Sequence, residues 1–267
     1  MRVASALTVA LIAATAFPSA RAQAEEADGG SFLETFDGSR LDPDRWRISD
    51  GWANGDYQLC LWTRDNATVA DGALRLVLEA EEAGDRRYAC ADVQSKRTFG
   101  HGLYEVRLRP AAAAGVVSAF FVYTGPVHGR THEEIDFEFL GKSPESVQLN
   151  FFVDGKGGNE VHVPLAFDAS AAARDYAFAW AEDGLRWYVD GELVHEVKAG
   201  EGPLPQPPAH LSLMLWNGDN VGWLGRFQDG SLPLEMTVEQ VAFTAAGEPC
   251  RFEGSLACPG GPEAVEP

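Results

Sequence analysis

The chain has 267 residues, of which 45% are hydrophobic, and its 40 acidic residues outnumber 21 lysines and arginines to give a formal charge of −19. This excess of negative charge argues against nucleic acid and against anionic membrane surfaces as partners, because like charges repel. A neutral polymer is not excluded, and salt screening weakens the repulsion of an acidic one.

Residues 1–24 are predicted to be a removable signal peptide. They carry an early positive charge at Arg2, an apolar run and small residues before a predicted cut after Ala24, with a cut after Ala22 as the alternative. An uncleaved N-terminal anchor is the competing interpretation, although the run is short for a membrane span. We therefore expect secretion, to the extracellular space or the periplasm. Cleavage removes two arginines and no acid, which leaves a charge near −21.

Most of the remaining chain is predicted to form short β-strands, because β-branched and aromatic runs alternate with turn residues. Asp-Gly pairs at 183–184 and 190–191 predict two hairpins. An Ala-rich stretch at 166–178 is a weak candidate for one turn of helix. The other predicted strands are residues 73–80, 102–110, 116–125, 147–155, 210–218 and 237–245.

This succession of short strands predicts an all-β protein, either a sandwich or a barrel. The length suits one domain, which we assign to residues 25–250. Residues 251–267 are assigned as a C-terminal tail tethered by a disulfide. Its last nine residues, PGGPEAVEP, are acidic and rich in Pro and Gly, and are predicted to be frayed.

Four cysteines in an exported protein predict two disulfides, with three connectivities open. Proximity in the chain favours Cys60–Cys90 and Cys250–Cys258. Free buried thiols remain the alternative. A metal site is disfavoured, because no Cys-x-x-Cys or His pair accompanies the cysteines.

The stretch HEEIDFEFLG, residues 132–141, places Glu134, Asp136 and Glu138 at every second position. Side chains alternate between the two faces of a strand, so these three acids share one face, and Ile135, Phe137 and Phe139 take the other. In a sandwich the apolar set enters the core and the acids line the opposite face. The alternatives are a solvated acidic strand and a Ca²⁺ site.

Paired carboxyl groups of this kind suit glycoside hydrolysis. A retaining glycosidase uses two carboxyls about 5–5.5 Å apart, one as nucleophile and one as proton donor. Mutual repulsion raises the pKa of one neighbour, which keeps a proton on the acid near neutral pH. The middle Asp136 can hydrogen-bond Glu134 and hold its rotamer.

The chain resembles the bacterial lichenases of glycoside hydrolase family 16 over nearly all of its mature length. The resemblance implies an antiparallel β-sandwich, a concanavalin-like β-jelly roll with a substrate groove across its concave face. It also implies Glu134 as nucleophile, Glu138 as general acid/base and Asp136 as assisting residue. The matching motifs, in order, are GGSFLETFDG, SDGWANGDYQLCLW, FGHGLYEVRLRPA, GVVSAFFVYTGP, EEIDFEFLGK, VQLNFF, YAFAWAEDGLRWYVDGELVHEV and LMLWNG.

The same resemblance pairs Cys60 with Cys90 and implies a set of sugar contacts. Aromatic faces can stack on pyranose rings, while amides and carboxylates bind hydroxyls. By contrast, Trp46, Trp180 and Trp187 lie inside strand-like runs and are predicted to pack in the core. The implied sugar contacts are Asn54, Phe121, Tyr123 and Trp216, with Trp52, Asp92, Asn150 and Trp223 as weaker matches. His132, beside the acids, departs from the family pattern and is a further candidate: it could bind a sugar hydroxyl, tune the acid pair or fill the place of a Trp.

The resemblance to lichenases also implies a structural Ca²⁺, whose ligands map to the carbonyls of Thr35 and Gly72 and to the side chain of Glu239. Glu239 replaces the aspartate of the family pattern, which weakens this expectation. No other cofactor is required. We expect a monomer acting on a β-linked polysaccharide, with no membrane or nucleic-acid partner.

Several groove positions depart from the lichenase pattern. His132-Glu133 replaces Trp-Asp, Met214 replaces an Asn, Gln94 replaces an Arg and Phe152 replaces a Tyr. Together with the ending VAFTAAGEPCRFEGSLAC, which also accounts for a Cys250–Cys258 pair, they resemble the exported endo-β-1,3-1,4-glycanases of succinoglycan-type exopolysaccharide systems.

The sequence thus predicts a secreted retaining endo-β-glycanase that cuts β-1,4 bonds next to β-1,3 links, in β-glucan or in a succinoglycan-type polymer. The alternatives are a general lichenase, a β-1,3-glucanase or a transglycosylase on the same fold. A non-catalytic carbohydrate-binding jelly roll and a structural envelope protein are rivals from other classes. Both are disfavoured because all three acids are present.

Overall fold

The computed structural model describes residues 28–258 and is nearly all β. The proposed signal peptide and the last nine residues lie outside the described residues. The strands are β1 (Phe32–Glu34), β2 (Trp46–Ile48), β3 (Cys60–Trp62), β4 (Ala67–Ala70), β5 (Ala73–Leu78), β6 (Tyr88–Phe99), β7 (Gly102–Arg109), β8 (Val116–Thr124), β9 (Glu133–Leu140), β10 (Ser146–Phe152), β11 (Val161–Pro164), β12 (Arg174–Ala181), β13 (Gly184–Val189), β14 (Glu192–Lys198), β15 (Ala209–Asn217) and β16 (Leu234–Ala245).

Two sheets, packed on one core, hold these strands. The back sheet has the order β14-β13-β12-β7-β16-β5-β4, with β1 also paired to β16. The groove sheet has the order β11-β10-β9-β8-β15-β6-β2, with β3 also paired to β6. Pairing is antiparallel apart from the parallel β3–β6 contact. The predicted all-β sandwich is confirmed.

The predicted strands agree with the structure within a few residues at each end. Both predicted hairpins form, since β12, β13 and β14 pair in succession through the two Asp-Gly turns. The predicted helical turn is wrong, because residues 166–173 form bends and turns and the chain then enters β12. The short helix α1 (Val221–Leu224) was not predicted. Three single 3-10 turns lie at Arg64–Asn66, Pro126–His128 and Asp229–Ser231.

The apolar face of β9 packs between the sheets, as its alternation predicts. Ile135 and Phe137 are fully buried and Phe139 is 3% exposed. Phe137 and Phe139 stack with ring centroids 6.3 Å apart, and Tyr176 of the back sheet meets both rings edge-on. Burial of these side chains fixes which face of β9 points outward.

The tryptophans predicted to be structural are all in the core. Trp46, Trp180 and Trp187 are at most 2% exposed. Trp187 reaches from β13 to the groove sheet, where its Nε1 donates to the main-chain carbonyl of Asp136 at 3.2 Å. The back sheet therefore contacts the acidic strand at its middle acid.

Both predicted disulfides are present. Cys60–Cys90 joins β3 to β6 and is fully buried. Cys250–Cys258 closes a loop that docks on the back sheet, where the Ser255 hydroxyl donates to the Glu105 carboxylate at 2.7 Å. The tail is thus packed as far as Cys258. None of the helices within residues 28–258 has the length and apolarity to cross a bilayer.

The packing of β9 predicts how much a core substitution lowers the stability of the fold. Phe137→Ala should lower the free energy of unfolding by about 3–5 kcal/mol, because it leaves a cavity between the sheets. The matched control is Leu193→Ala on β14, where the side chain is 43% exposed and the change should stay within about 0.5 kcal/mol. Urea unfolding followed by tryptophan fluorescence measures both. Equal losses in the two variants would contradict this account of the core.

Candidate active site

The outward face of β9 presents three carboxyl groups between two neighbouring strands. Glu134 lies opposite Tyr123 of β8 and Phe152 of β10. Asp136 and Glu138 follow at the next two positions of the same face. Asp136 is 4% exposed, whereas Glu134 and Glu138 are only partly buried and open to a groove.

Asp136 is the most strongly desolvated of the three acids. Burial, followed by the negative charges of Glu134 and Glu138, raises the pKa of Asp136 well above its usual range. Asp136 also shares a hydrogen bond with Glu134. A protonated Asp136 therefore donates to the Glu134 carboxylate and adds no third negative charge to the strand.

Glu138 is set up to hold a proton near neutral pH. Burial, and then the charge of Glu134, raise the pKa of Glu138 to about 8. Gln148 of β10 donates a hydrogen bond to Glu138 Oε2, which lowers the pKa of Glu138 and so opposes the other two effects. Gln148 is itself held by Trp223, whose Nε1 donates to Gln148 Oε1 at 3.0 Å. Glu138 can thus act as a proton donor near neutral pH.

The carboxylate of Glu134 is contacted by His132, the residue directly before β9. His132 Nε2 lies 2.6 Å from Glu134 Oε2. The His132 ring stacks on Phe152 at 4.5 Å and meets Tyr123 edge-on at 5.2 Å. Two departures from the lichenase pattern, His132 and Phe152, are therefore in direct contact, and together they orient the Glu134 carboxylate.

The acids open into a groove of about 920 Å³ on the outer face of the groove sheet. Most of the predicted sugar contacts line this groove, and they come from the segment before β3, from β8, β9, β10 and β15, and from α1. Trp216 and Trp223 contact each other at 6.0 Å and form an aromatic wall at one end. The predicted residues that line the groove are Trp52, Asn54, Phe121, Tyr123, His132, Asn150, Trp216 and Trp223, with Glu134, Asp136 and Glu138.

Asp92 is the exception among the predicted sugar contacts. It is fully buried behind the groove, where its Oδ2 accepts from the Ser49 hydroxyl at 2.6 Å and from Gln94 Nε2 at 2.7 Å. Burial raises the pKa of Asp92 to about 6, against these hydrogen bonds and the charge of Arg47. The structure therefore makes Asp92 a support for Gln94, and it does not line the groove.

Several groove residues were missed by the sequence analysis. Tyr57 meets Trp216 edge-on at 5.8 Å, and Gln148 binds Glu138 directly. Gln148 lies directly opposite Glu138 in the β9–β10 register, but that pairing is not visible in the sequence. Glu160, a further acid of the groove, adds a weaker negative field that raises the pKa of Glu138.

The implied calcium ligands belong to the back sheet. Strand pairing brings Thr35, after β1, and Gly72, before β5, towards Glu239 on β16. The Glu239 carboxylate accepts from Arg107 Nε at 3.0 Å. The one anionic donor of the implied set is therefore paired with an arginine in this arrangement. Within residues 28–258, no three His, Cys, Asp or Glu side chains are grouped to hold a metal ion. Calcium stays a prediction.

A groove across one sheet of a β-sandwich, lined by two carboxyl groups of a single strand, one of them with a raised pKa, is typical of a glycoside hydrolase. The family model "Glycosyl hydrolases family 16" matches residues 54–231. The chain therefore belongs to glycosyl hydrolases family 16, as the sequence motifs predicted.

Individual relatives agree with this assignment. The chain is 42% identical over 229 residues to the endo-1,3-1,4-beta-glycanase ExoK of Rhizobium meliloti (strain 1021), covering 85% of this chain and 84% of that protein. It is 39% identical over 240 residues to a beta-glucanase of Bacillus subtilis (strain 168), covering 89% and 93%. The solved structure of Bacillus licheniformis beta-glucanase matches with a TM-score of 0.76 at 38% identity, covering 81% of this chain and 99% of that one.

The burial and contacts of Glu138 predict the pH at which its carboxyl group titrates. The Glu138 carboxyl should titrate near pH 8. Gln148→Leu should move this titration to higher pH, because it removes the hydrogen bond that favours the charged form. Carbon-13 NMR of Glu-labelled protein measures both values, and Glu138→Gln assigns the resonance. A titration at the usual pH of a solvated glutamate, unchanged in Gln148→Leu, would contradict this description of the site.

Proposed function

We propose that this protein is a secreted, retaining endo-β-glycanase that hydrolyses β-1,4 bonds next to β-1,3 links in a β-linked glucan. The observation that carries the proposal is the arrangement on β9. Glu134 and Glu138 face one groove, and the pKa of Glu138 is raised to about 8, partly by the charge of Glu134. The similarity to a beta-glucanase and to an endo-1,3-1,4-beta-glycanase supports the linkage. The predicted signal peptide supports secretion.

In the first step, Glu138 protonates the glycosidic oxygen as the Glu134 carboxylate attacks the anomeric carbon. The bond from the anomeric carbon to the leaving oxygen breaks, and a bond to a Glu134 oxygen forms. Asp136 and His132 both contact Glu134, so they select the carboxylate orientation for attack. The reducing-side portion of the polymer then leaves.

In the second step, the electrostatic coupling between the acids reverses the role of Glu138. Once Glu134 is esterified its negative charge is gone, so one of the causes that raise the pKa of Glu138 disappears. Glu138, which has given up its proton, can then accept one from water as the water attacks the anomeric carbon. The Glu134 carboxylate is released, and the product keeps the original anomeric configuration.

The assignment of the acids predicts two mutant phenotypes on lichenan, a mixed-linkage β-glucan. Glu134→Gln should lose hydrolysis to background, and Glu138→Gln should lose about 10²–10⁴-fold in kcat. Glu192→Gln, at an exposed acid of β14 far from the groove, is the matched control and should keep wild-type activity. Reducing-end release measures the rates, and proton NMR of the first product should show the β-anomer.

Two results would overturn the proposal. An α-anomer as first product would mean an inverting mechanism, in which Glu134 is not a nucleophile. Lichenan binding without any hydrolysis by wild type would favour the rival, a carbohydrate-binding jelly roll. Laminarin, a β-1,3-glucan, belongs in the same assay, because the catalytic domain of an endo-1,3-beta-glucanase from Thermotoga petrophila RKU-1 shares the fold with a TM-score of 0.71.

The contact between His132 and the nucleophile makes a separate prediction. His132→Phe keeps a ring to stack on Phe152 but removes the hydrogen bond to Glu134, so kcat should fall about tenfold with a smaller change in KM. His132→Gln keeps a hydrogen-bond donor and should recover part of the loss. If both variants change only KM, His132 binds sugar and does not position the nucleophile.

A further inference from the structure

The hydrogen bonds at Glu138 form a chain of three side chains that ends at an indole. Trp223 Nε1 donates to Gln148 Oε1 at 3.0 Å, and Gln148 Nε2 donates to Glu138 Oε2. Gln148 lies directly opposite Glu138 in the β9–β10 register and is only 4% exposed. Because Gln148 is buried, its amide needs protein partners at both ends, and Trp223 is the partner of the oxygen end.

The two ends of the Gln148 amide are similar in size but opposite in hydrogen-bonding character, since the oxygen only accepts and the nitrogen only donates. The indole nitrogen of Trp223 is a donor only, so it can bind the oxygen end of the amide and not the nitrogen end. The reversed amide would place two donors against each other and leave both without an acceptor. Trp223 therefore determines which end of the Gln148 amide faces Glu138.

The end of the amide that faces Glu138 matters because the two protonation states of a carboxyl group need different partners. An ionised carboxylate only accepts hydrogen bonds, whereas a protonated carboxyl can also donate one. The NH2 group of Gln148 therefore favours the ionised form, and it lowers the pKa of Glu138 against burial and the charge of Glu134. The amide oxygen in the same place would accept the Glu138 proton and favour the neutral form.

The other side chains around Glu138 do not replace this hydrogen bond. They are acids, which raise its pKa when ionised, a histidine on the far side of Gln148, and apolar side chains. Element by element, they are Glu134 and Asp136 on β9, Glu160 before β11, His162 on β11 opposite Gln148, Ala119 on β8 opposite Glu138, and Met214 on β15 opposite Ala119.

Trp223 is held in place by contacts that do not involve Glu138. It lies on α1, where Asn220 Oδ1 accepts from the main-chain nitrogen of Trp223 at 3.1 Å. The next residue, Leu224, is 1% exposed, and its carbonyl accepts from the main-chain nitrogen of Gly115 at 2.7 Å. The indole ring also contacts Trp216 at 6.0 Å. These contacts fix the direction of the indole N–H, so the Gln148 amide adapts to it.

We propose that Trp223 is a positioning residue for the acid–base step: its indole N–H holds the Gln148 amide with the NH2 group towards Glu138, so that a donor faces the carboxylate that forms when Glu138 gives up its proton. This inference rests on the proposed function and deepens it, because it gives Trp223 a role beyond contact with sugar. A donor already aimed at a developing negative charge stabilises that charge without reorganisation.

The test is the titration of Glu138 in Trp223→Phe, which keeps a ring beside Trp216 but removes the N–H. The Gln148 amide can then turn its oxygen towards protonated Glu138, so the titration should move from about pH 8 to a value higher by about one pH unit. Carbon-13 NMR of Glu-labelled protein without substrate measures it. Trp180→Phe is the matched control. It removes the hydrogen bond from a buried indole of β12 to the Pro205 carbonyl, at 3.0 Å, and should leave the titration unchanged.

A double variant tests whether Trp223 acts through Gln148. In Gln148→Leu the amide is absent, so adding Trp223→Phe should cause no further shift in the titration of Glu138. Additive shifts would overturn the inference, because the indole would then act on Glu138 by another route. An unchanged titration in Trp223→Phe alone would overturn it as well.

Kinetics on lichenan connect the titration to catalysis. The alkaline limb of the kcat/KM profile reports the acid of the free enzyme, so in Trp223→Phe it should move to higher pH together with the NMR titration. At neutral pH kcat should fall about tenfold. A change in KM alone, with an unchanged pH profile, would mean that Trp223 only binds sugar, and the inference would fail. If wild type does not hydrolyse lichenan, the proposed function fails, and the NMR titration still decides the role of Trp223.

Discussion

The apolar face of β9, buried between the two sheets, is the constraint on which the rest of the site depends. Ile135, Phe137 and Phe139 are buried against Tyr176 and other core rings, so the strand has only one register that satisfies the core. A slip of one residue would exchange the two faces and bury the acids in the core. The hydrophobic effect thus aims the three carboxyls into the groove, and no hydrogen bond from the groove side is needed to do so.

The same packing sets the proton affinities of the acids. The core side of β9 keeps water away from the strand, and desolvation is the largest cause of the raised pKa of both Asp136 and Glu138. The second cause is the charge of Glu134. In the retaining reaction proposed above, that charge would disappear and return, so Glu138 would have different proton affinities in the two half-reactions. The charge of one neighbour would thereby supply the alternation from acid to base, while the hydrogen bond from Gln148 limits how far the pKa of Glu138 rises.

The sequence predicted those features that local patterns determine. Alternation in β9 gives the shared face of the acids, Asp-Gly pairs give the hairpins, and chain proximity gives both disulfides. Features that depend on pairing between distant strands were missed. Gln148 acts on Glu138 only through the β9–β10 register, and Asp92 lies behind the groove because Ser49 and Gln94 enclose it. α1 has four residues, too few for a periodic signal.

Some of the residues that depart from the lichenase pattern contact one another in the structure, although they are far apart in the sequence. His132 and Phe152, two of the changed positions, stack on each other, and Gln94, a third, binds Arg47. Coupled changes of this kind preserve packing, whereas isolated changes leave a cavity or an unpaired polar group. His132, Gln94 and Phe152 line the groove, away from the buried face of β9, and Arg47 is on a three-residue edge strand. The acids keep the same face through these changes, because the buried side of β9 decides which way they point, while His132 in the groove adjusts the orientation of the Glu134 carboxylate.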